Sequence, residues 1–516
     1  MPALSIISSA SLSGIEAASV NVETDISPGL PNIFLVGLPG NAVRESRERI
    51  RSAISNSGFE FPMRRITINL SPAATRKEGS HFDLPIAIAV LSASGKAKMD
   101  KERLEKGIFF GELSLDGAVR RIEAAAALVI GRYEAGARDV YLPVENMNEV
   151  PSLKDLRYHP VSSLSEAVSL LSPGAERNTF AFKHERESLP DVKGPGVEEA
   201  GDRREDDIRD VYRSDYSEVL GQERTKRALT IAAAGRHDIL LVGPPGVGKS
   251  MMAGMFADIL PPLTETESME VTRIHSIAGL SGGHELIKKR PFRAPHHSST
   301  MTAIIGGGHN RVMPGEVSLA HRGTLFLDEL PEFNRQALDM LRQPMENRYV
   351  DLSRTGFKER MPCDFLFIAA MNPCPCGHFG DPLHACICPE SSIDRYRAKV
   401  SGPLMDRIDI HVTMDHIPSG DAALFAKKER NGLSTEEMKK SVEDAISFRK
   451  ERVDGDLRFS DEAASMLDNA YSKYGLSMRS RSKLINVART IADLEASAEV
   501  LPVHVGEALS FRREQR

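Results

Sequence analysis

A multidomain α/β protein is predicted by three features of the chain. They are a strand–glycine loop–helix passage in its middle, alternating short strand and helix patterns before it, and helical periodicity after it. The middle passage reads Gly243, Pro244, Pro245, Gly246, Val247, Gly248, Lys249, Ser250, directly after the apolar run Ile239-Leu240-Leu241-Val242 and before a helical pattern from Met251 to Leu260. In such a turn, backbone N–H groups point inward at a polyphosphate, and the helix N-terminus adds a favourable dipole. Lys249 would reach the β/γ-phosphates and Ser250 would hold Mg²⁺. The string, the strand and the helix together predict binding of a nucleoside triphosphate, ATP.

The elements follow in chain order. Residues 1–172 form an α/β domain. Ile33–Val36, Ile66–Leu70 and Val140–Leu142 read as strands. Asn41 to Ser57 reads as a helix with Val43, Ile50 and Ile54 on one face and Arg44, Arg47, Glu48 and Arg51 on the other. Residues 173–215 carry Pro173-Gly174, Pro190, Pro195 and the charged run Glu198 to Arg213, the composition of a flexible linker. The phosphate-loop core is expected over 216–412, with a Cys-rich insertion at 373–389. Residues 413–516 are expected to be all-α, with one helix around Ile485 to Ala496.

Bulk composition narrows the class. At 516 residues the chain exceeds one ordinary domain, and 41% hydrophobic with 27% charged residues suits a globular protein. A formal net charge of −6 means that any nucleic-acid contact must come from local basic patches. No apolar run approaches the ~18–20 residues of a membrane span, and the N-terminus lacks a basic leader with an apolar core. No membrane association and a cytoplasmic location are therefore expected. Four of the five cysteines crowd into one short stretch, unlike a disulfide framework.

Hydrolysis is suggested by Thr324-Leu325-Phe326-Leu327-Asp328-Glu329, an apolar strand ending in two carboxylates. Metal-assisted phosphoryl transfer needs one carboxylate to support Mg²⁺, here Asp328, and a second to polarise water, here Glu329. Phe365 to Asn372 is another buried strand, ending in an amide that would orient water beside the γ-phosphate; an Asn merely capping the strand fits these residues equally. Arg407, in Ser401-Gly-Pro-Leu-Met-Asp406-Arg407-Ile-Asp409, could stabilise phosphoryl charge in a neighbouring subunit, or simply pair with Asp406 or Asp409.

Several ordered segments carry a resemblance. They include Gly221-Gln222-Glu223, Ala232-Ala-Ala-Gly235, Arg293-Ala-Pro-His-His297 and Leu327-Asp-Glu-Leu-Pro-Glu-Phe333. Met371-Asn-Pro-Cys-Pro-Cys-Gly377, Gly402 to Asp409 and Val487-Ala-Arg-Thr-Ile-Ala-Asp-Leu494 complete the set. Over essentially its whole length the chain resembles the YifB/ComM family of magnesium-chelatase-like AAA+ ATPases. The resemblance implies an AAA+ core with a helical lid and a homo-oligomeric ring, a hexamer, hydrolysing ATP between subunits. By motif position Asn372 corresponds to sensor 1, Arg407 to the arginine finger and Arg479, in Ser477-Met-Arg479, to the sensor 2 arginine. ComM members act as DNA helicases that promote branch migration during DNA uptake and natural transformation.

DNA contact has its own sequence candidates. A basic, glycine-rich insertion holds Lys288, Lys289, Arg290, Arg293, His296, His297 and, after Gly306-Gly-Gly, Arg311. Arg348 to Arg360 reads as a hairpin turning near Thr355-Gly356, with Arg354 and Lys358 placed to track phosphates in a ring pore; a solvated charged hairpin has the same composition. Cys374, Cys376, Cys386 and Cys388 form two C-x-C pairs, a ligand count that suits a closed tetrahedral Zn²⁺ site, with His378 and His384 as substitute ligands. Reduced thiols in a loop are the alternative. Cys363 is expected to pack beside the following strand.

Residues 61–95 and 107–150 resemble the Lon-protease-like domain through Ser71-Pro-Ala-Ala-Thr75, Gly111-Glu-Leu-Ser-Leu-Asp-Gly117 and Leu142-Pro-Val-Glu-Asn146. The serine–lysine pair of such proteases is missing. The nucleophile region reads Ser80-His-Phe-Asp83, and the base region reads Ala118-Val-Arg120-Arg121, where arginine cannot serve as a base. A non-proteolytic scaffold is expected. A DNA translocase is thus the leading reading. A metal-insertion motor of the magnesium-chelatase type and an ATP-dependent protease stand behind it, because Asp351-Leu-Ser353-Arg-Thr355 matches a metal-adhesion motif only superficially.

Overall fold

The computed structural model describes residues 3–73, 76–175, 215–219, 221–280, 283–308, 312–354, 357–416, 433–452, 458–474 and 477–512, with side chains at 353–354, 357–358 and 474 excepted. Most of the expected linker, 176–214, and the loop residue Arg311 lie outside the described residues. These residues fall into two compact units. The first comprises those up to Lys193 with Glu265–Ile287; the second comprises Gly194–Thr264 with Lys288–Arg516.

The first unit is built on a seven-stranded sheet. Its strands are β1 (Ala3–Ser13), β2 (Glu16–Ser27), β3 (Asn32–Val36), β4 (Arg65–Ser71), β5 (Gly107–Phe109), β6 (Asp139–Pro143) and β7 (Arg157–Val161), in the spatial order β3-β4-β2-β1-β5-β6-β7. The β1–β2 hairpin and the β2–β4 pair are antiparallel, and the outer pairs are parallel. Side-chain alternation covers both faces. Ile7 and Tyr141 pack into one apolar cluster with the almost wholly buried helix Asp83–Ser94, while Ala10, Val140 and Leu142 pack into another with the helix Ala125–Glu134. The three expected strands and the expected helix, found at Asn41–Asn56, are present. Val43, Ile50 and Ile54 are buried, and Arg44, Arg47, Glu48 and Arg51 are exposed.

Glu265–Ile287 lies inside the stretch expected for the phosphate-loop core, yet it packs in the first unit. Met269 and Ile277, on the helix Glu265–Ile277, join apolar clusters with the 125–134 helix. The Ser276 hydroxyl accepts from the Ala127 N–H at 3.2 Å, and Arg273 pairs with Glu134 at 3.0 Å.

The second unit holds a five-stranded, all-parallel sheet. Its strands are β8 (Ile239–Val242), β9 (Phe292–Arg293), β10 (Thr324–Leu327), β13 (Leu366–Met371) and β14 (Ile410–Thr413), ordered β9-β10-β13-β8-β14. A separate two-stranded ribbon pairs β11 (Tyr349–Arg354) with β12 (Phe357–Pro362), the expected hairpin. The central strands are continuous apolar runs because helices cover both sides of a parallel sheet. The expected helix over 251–260 is instead a short α-helix, Lys249–Gly254, followed by a 3₁₀ turn at Phe256–Ile259. Helices Thr435–Glu451, Asp461–Tyr474, Met478–Leu494 and Pro502–Ser510 follow β14, and their apolar faces join the core cluster that includes the helix Glu223–Gly235. No helix among the described residues is long and apolar enough to cross a membrane.

Candidate nucleotide and metal sites

The phosphate loop leaves the C-terminal end of β8, where open parallel sheets place their ligand crevices. Gly246 and Gly248 sit at φ 84° and 89°, in the left-handed region that glycine occupies without a steric penalty. A Cβ on Gly246 would meet nothing within 4 Å, so its conformation and not crowding calls for glycine there. Lys249 is buried, and its Nζ donates to the Gly243 and Pro244 carbonyls at 2.7 Å each and to Asn372 Oδ1 at 3.0 Å. Burial lowers the Lys249 pKa, while Asp328 and Glu329 oppose the shift. The Ser250 hydroxyl donates to Asp328 Oδ2. The donor set fits the expected ligand: a lysine among backbone groups for phosphate oxygens, and a hydroxyl–carboxylate pair for Mg²⁺.

Thus β8, β10 and β13 bring together Lys249, Ser250, Asp328 and Asn372, which the sequence singled out separately. Glu329 stands at the same strand end with φ 51°, a strained conformation for a non-glycine residue. Its N–H donates to Asp328 Oδ1 at 2.8 Å, and its half-exposed carboxylate lies 3.4 Å from His297 Nδ1. The His297 ring lies tilted against His296, with centroids 4.0 Å apart, and meets Phe333 edge-on. His297 counts, on the sequence, toward a basic insertion and a family-like segment, and its proximity to Glu329 is a feature that composition could not reveal.

The two remaining arginines form a different network. Arg407 donates to Glu346 Oε2 at 2.6 Å and to the Pro403 carbonyl at 2.7 Å, and Arg479 donates to Glu346 Oε1 at 3.1 Å. The pairing of Arg407 with Asp406 or Asp409 considered on the sequence is replaced by Glu346. Lys483 takes Asp409 instead and also donates to the Arg407 carbonyl. The Arg407 and Arg479 guanidiniums hold the Glu346 carboxyl below its ordinary range against a slight desolvation.

The basic insertion is only partly available for phosphates. Arg290 is buried and donates to the Pro261 and Arg322 carbonyls, and Arg293 makes a bidentate pair with Glu316 at 2.6 and 2.9 Å. Lys288 and Lys289 are exposed. Arg311 and the side chains of Arg354 and Lys358 lie outside the described residues. Arg360 of the ribbon pairs with Asp351 at 2.9 Å and lies over the Tyr349 ring.

All four clustered cysteines converge. Cys374 lies 3.4 Å from Cys376 and 3.7 Å from Cys386, and Cys376 lies 3.7 Å from Cys386, sulfur to sulfur. A tetrahedral ion at the usual Zn–S distance sets its sulfurs about 3.8 Å apart, so the set fits Zn²⁺. Backbone N–H groups of His378 and Ile387 pull the Cys376 thiol down to about 6. Cys363 is buried beside β13, and burial pushes its thiol up to about 12. The cysteine loop touches the phosphate loop, because a Cβ on Gly377 would stand 2.6 Å from Pro245 Cδ.

In the first unit, the Ser80 hydroxyl donates to Glu112. Buried Asn146 clamps the Ile122 backbone with two hydrogen bonds of 2.9 Å.

Known families match most of the chain. Residues 215–422 match "Magnesium chelatase, subunit ChlI", 22–146 match "Subunit ChlI of Mg-chelatase", and 432–512 match "Magnesium chelatase, subunit ChlI C-terminal". Competence protein ComM of Haemophilus influenzae is 36% identical over 518 residues, covering 99% of this chain and 97% of that protein. Protein YifB of Salmonella typhimurium, itself uncharacterized, is 38% identical over 520 residues, with 99% and 97% coverage. The magnesium-chelatase 67 kDa subunit of Chlorobaculum parvum is 26% identical over 163 residues, covering 31% of this chain and 23% of that subunit. The chain belongs to the YifB/ComM family of magnesium-chelatase-like AAA+ ATPases, a family whose cofactors are ATP and Mg²⁺.

Proposed function

We propose that this chain is an ATP-driven, ring-forming DNA translocase or helicase that promotes branch migration of recombination intermediates. The observation that carries the reading is the end-to-end likeness to competence protein ComM in a chain whose phosphate-binding residues already converge. ATP with Mg²⁺ supplies the free energy. Lys249 and the 243–250 loop hold the phosphates, Ser250 and Asp328 hold the metal, Glu329 polarises the attacking water and Asn372 orients it. Arg407 serves a neighbouring subunit's site, and Arg479 acts from the helical lid. Arg354, Lys358, Lys288, Lys289 and Arg311 touch DNA phosphates inside a hexamer, in the cytoplasm.

The first unit acts as a Lon-like scaffold without proteolysis, since its one serine in the nucleophile region gives its hydroxyl to a carboxylate and its base region holds arginines. The four cysteines hold structural zinc and brace the loop that carries Asn372. A metal-insertion motor draws on the magnesium-chelatase family matches, but the likeness to the Chlorobaculum chelatase subunit covers 163 residues at 26% identity, against 518 residues at 36% for competence protein ComM.

The test is an assay of the purified chain on forked and four-way DNA, with and without ATP, beside Lys249→Ala. ATP-dependent conversion of the four-way junction, absent in the variant, is the expected outcome. Robust ATPase that neither responds to DNA nor moves a junction would overturn the reading.

A further inference from the structure

The 374–388 loop carries more ligand chemistry than its cysteines use. Between the two C-x-C pairs lie His378, Asp381 and His384, and these three also converge. The Asp381 carboxylate is wholly buried. Its Oδ2 lies 3.1 Å from His378 Nδ1, 3.1 Å from His384 Nδ1 and 3.4 Å from His416 Nε2, while Oδ1 accepts the Leu383 N–H at 2.9 Å.

The two 3.1 Å contacts are hydrogen bonds to the carboxylate, and two features make the arrangement fit an ion as well. The first is His416. Its Nε2 is buried and makes no hydrogen bond, although it lies 3.4 Å from Asp381 Oδ2. A buried nitrogen left without a partner is costly, and a cation among the four groups would give its lone pair a ligand role. The second is spacing. A tetrahedral ion bound at the usual Zn–N and Zn–O distances sets its ligand atoms about 3.3–3.4 Å apart. The three separations around Asp381 Oδ2 fall at or just inside that value. The Leu383 N–H meanwhile fixes the carboxylate's orientation through its other oxygen, as outer-shell donors do around ligating carboxylates.

We propose that Asp381, His378, His384 and His416 form a second metal site, separate from the four-cysteine site, that takes a divalent ion of the zinc type through imidazole and carboxylate ligands. The nitrogen–oxygen set suits borderline ions, whereas the neighbouring thiolates select softer ones. Its position gives it a task. The 374–388 loop follows β13, and His416 follows β14. These two strands flank β8, whose C-terminal end carries the phosphate loop. Both connections also press on that loop: a Cβ on Gly377 would stand 2.6 Å from Pro245, and a Cβ on Gly243 would stand 2.5 Å from the Met414 carbonyl. An ion shared by His416 and the 378–384 residues ties the two walls of the phosphate loop together.

The inference stands apart from the DNA reading, and its test reads metal alone. Full-length protein, stripped and reloaded with Co²⁺ under reducing conditions, is titrated by absorption spectroscopy, and bound zinc is counted by elemental analysis of zinc-reloaded samples. Wild type is expected to bind one equivalent more than His378→Ala/His384→Ala. The lost equivalent should carry cobalt d–d bands without thiolate-to-metal charge transfer. Asp381→Asn, which keeps the side chain's volume and its acceptor for the Leu383 N–H, should weaken that equivalent at least about tenfold. His416→Ala should weaken it without altering the thiolate bands. Equal metal content in wild type, the double histidine variant and Asp381→Asn, with all cobalt absorption of thiolate character, would overturn the second site.

Discussion

The phosphate edge and the arginine edge lie in the same unit but differ in what they complete. At the phosphate edge, Lys249, Ser250, Asp328 and Asn372 satisfy one another within one chain. At the arginine edge, Arg407 and Arg479 share a half-exposed carboxylate, Glu346, and the Lys483–Asp409 pair supports the Arg407 backbone. One edge is a finished receptor for phosphate. The other holds two cations on a single anion at the surface, where such pairs contribute little to stability. That contrast is what the proposed shared site would need: binding residues preorganised in each chain, and arginines held by a contact weak enough to exchange for a phosphate.

The largest effects should come from the phosphate edge. Lys249→Ala is expected to abolish nucleotide binding and turnover in a fluorescent-nucleotide titration. Glu329→Gln should keep binding and lower kcat by up to about 10⁴-fold, because it removes only the carboxylate proposed to polarise water. Equal loss of binding in both would merge the two roles and break the division within this edge.

Arg407→Ala tests the other edge. Turnover should fall by about 10³-fold with nucleotide affinity unchanged. Mixing it with Lys249→Ala should then restore part of the activity, since the second variant donates an intact arginine to the first variant's intact phosphate site. Mixed assemblies isolated through two different tags that stay inactive would place the arginine's action within its own chain.

Glu346→Gln sharpens the comparison by a smaller step. It keeps the side chain's shape and removes the anion that both guanidiniums share. An exposed ion pair is worth roughly 1 kcal/mol or less, so ATPase activity is expected to rise by up to about fivefold. A fall in activity would mean that Glu346 orients the arginines for catalysis instead of holding them in reserve.

Much of the phosphate edge was legible in the sequence, because each part sits at the end of an apolar strand with a recognisable polar terminus. Asp328 and Asn372 needed only the parallel sheet to bring them to Ser250 and Lys249. Glu346 was not legible, since it lies 61 residues from Arg407 and 133 from Arg479 and no local pattern links them. Arg290 and Arg293 read as phosphate-seeking by composition, yet one is buried on carbonyls and the other is paired with Glu316. Composition counts charges without showing their partners. The β1 strand is illegible for the opposite reason. It runs through the first unit's sheet with Ser5, Ser9 and Ser11 buried, so its core face lacks the apolar signature of a strand, and Ser9 is satisfied by the Phe109 carbonyl at 2.9 Å. The helix Glu265–Ile277 could be read as a helix, but nothing in its pattern says which unit buries it.

The smallest expected effect concerns pH and the foundation of the arginine edge. Asp238 is buried at the start of β8, where its carboxylate accepts the Phe367 N–H at 2.9 Å and its carbonyl accepts the Asp409 and Ile410 N–H groups. Burial, then the neighbouring Asp409, raises its pKa from 3.8 to about 7, against the pull of Arg348 and the Phe367 N–H. An acid whose folded pKa lies above its unfolded value contributes stability that is fully present below about 4 and is lost as pH rises through about 7. The melting temperature of the second unit should therefore fall between pH 6 and pH 8.5, by about 2–4 °C for each kcal/mol withdrawn. Asp238→Asn keeps an acceptor for Phe367 and cannot ionise, so its melting temperature should change less over that range. A melting profile with the same slope in both proteins would move the pH sensitivity elsewhere and leave the arginine edge resting on the Lys483–Asp409 pair alone.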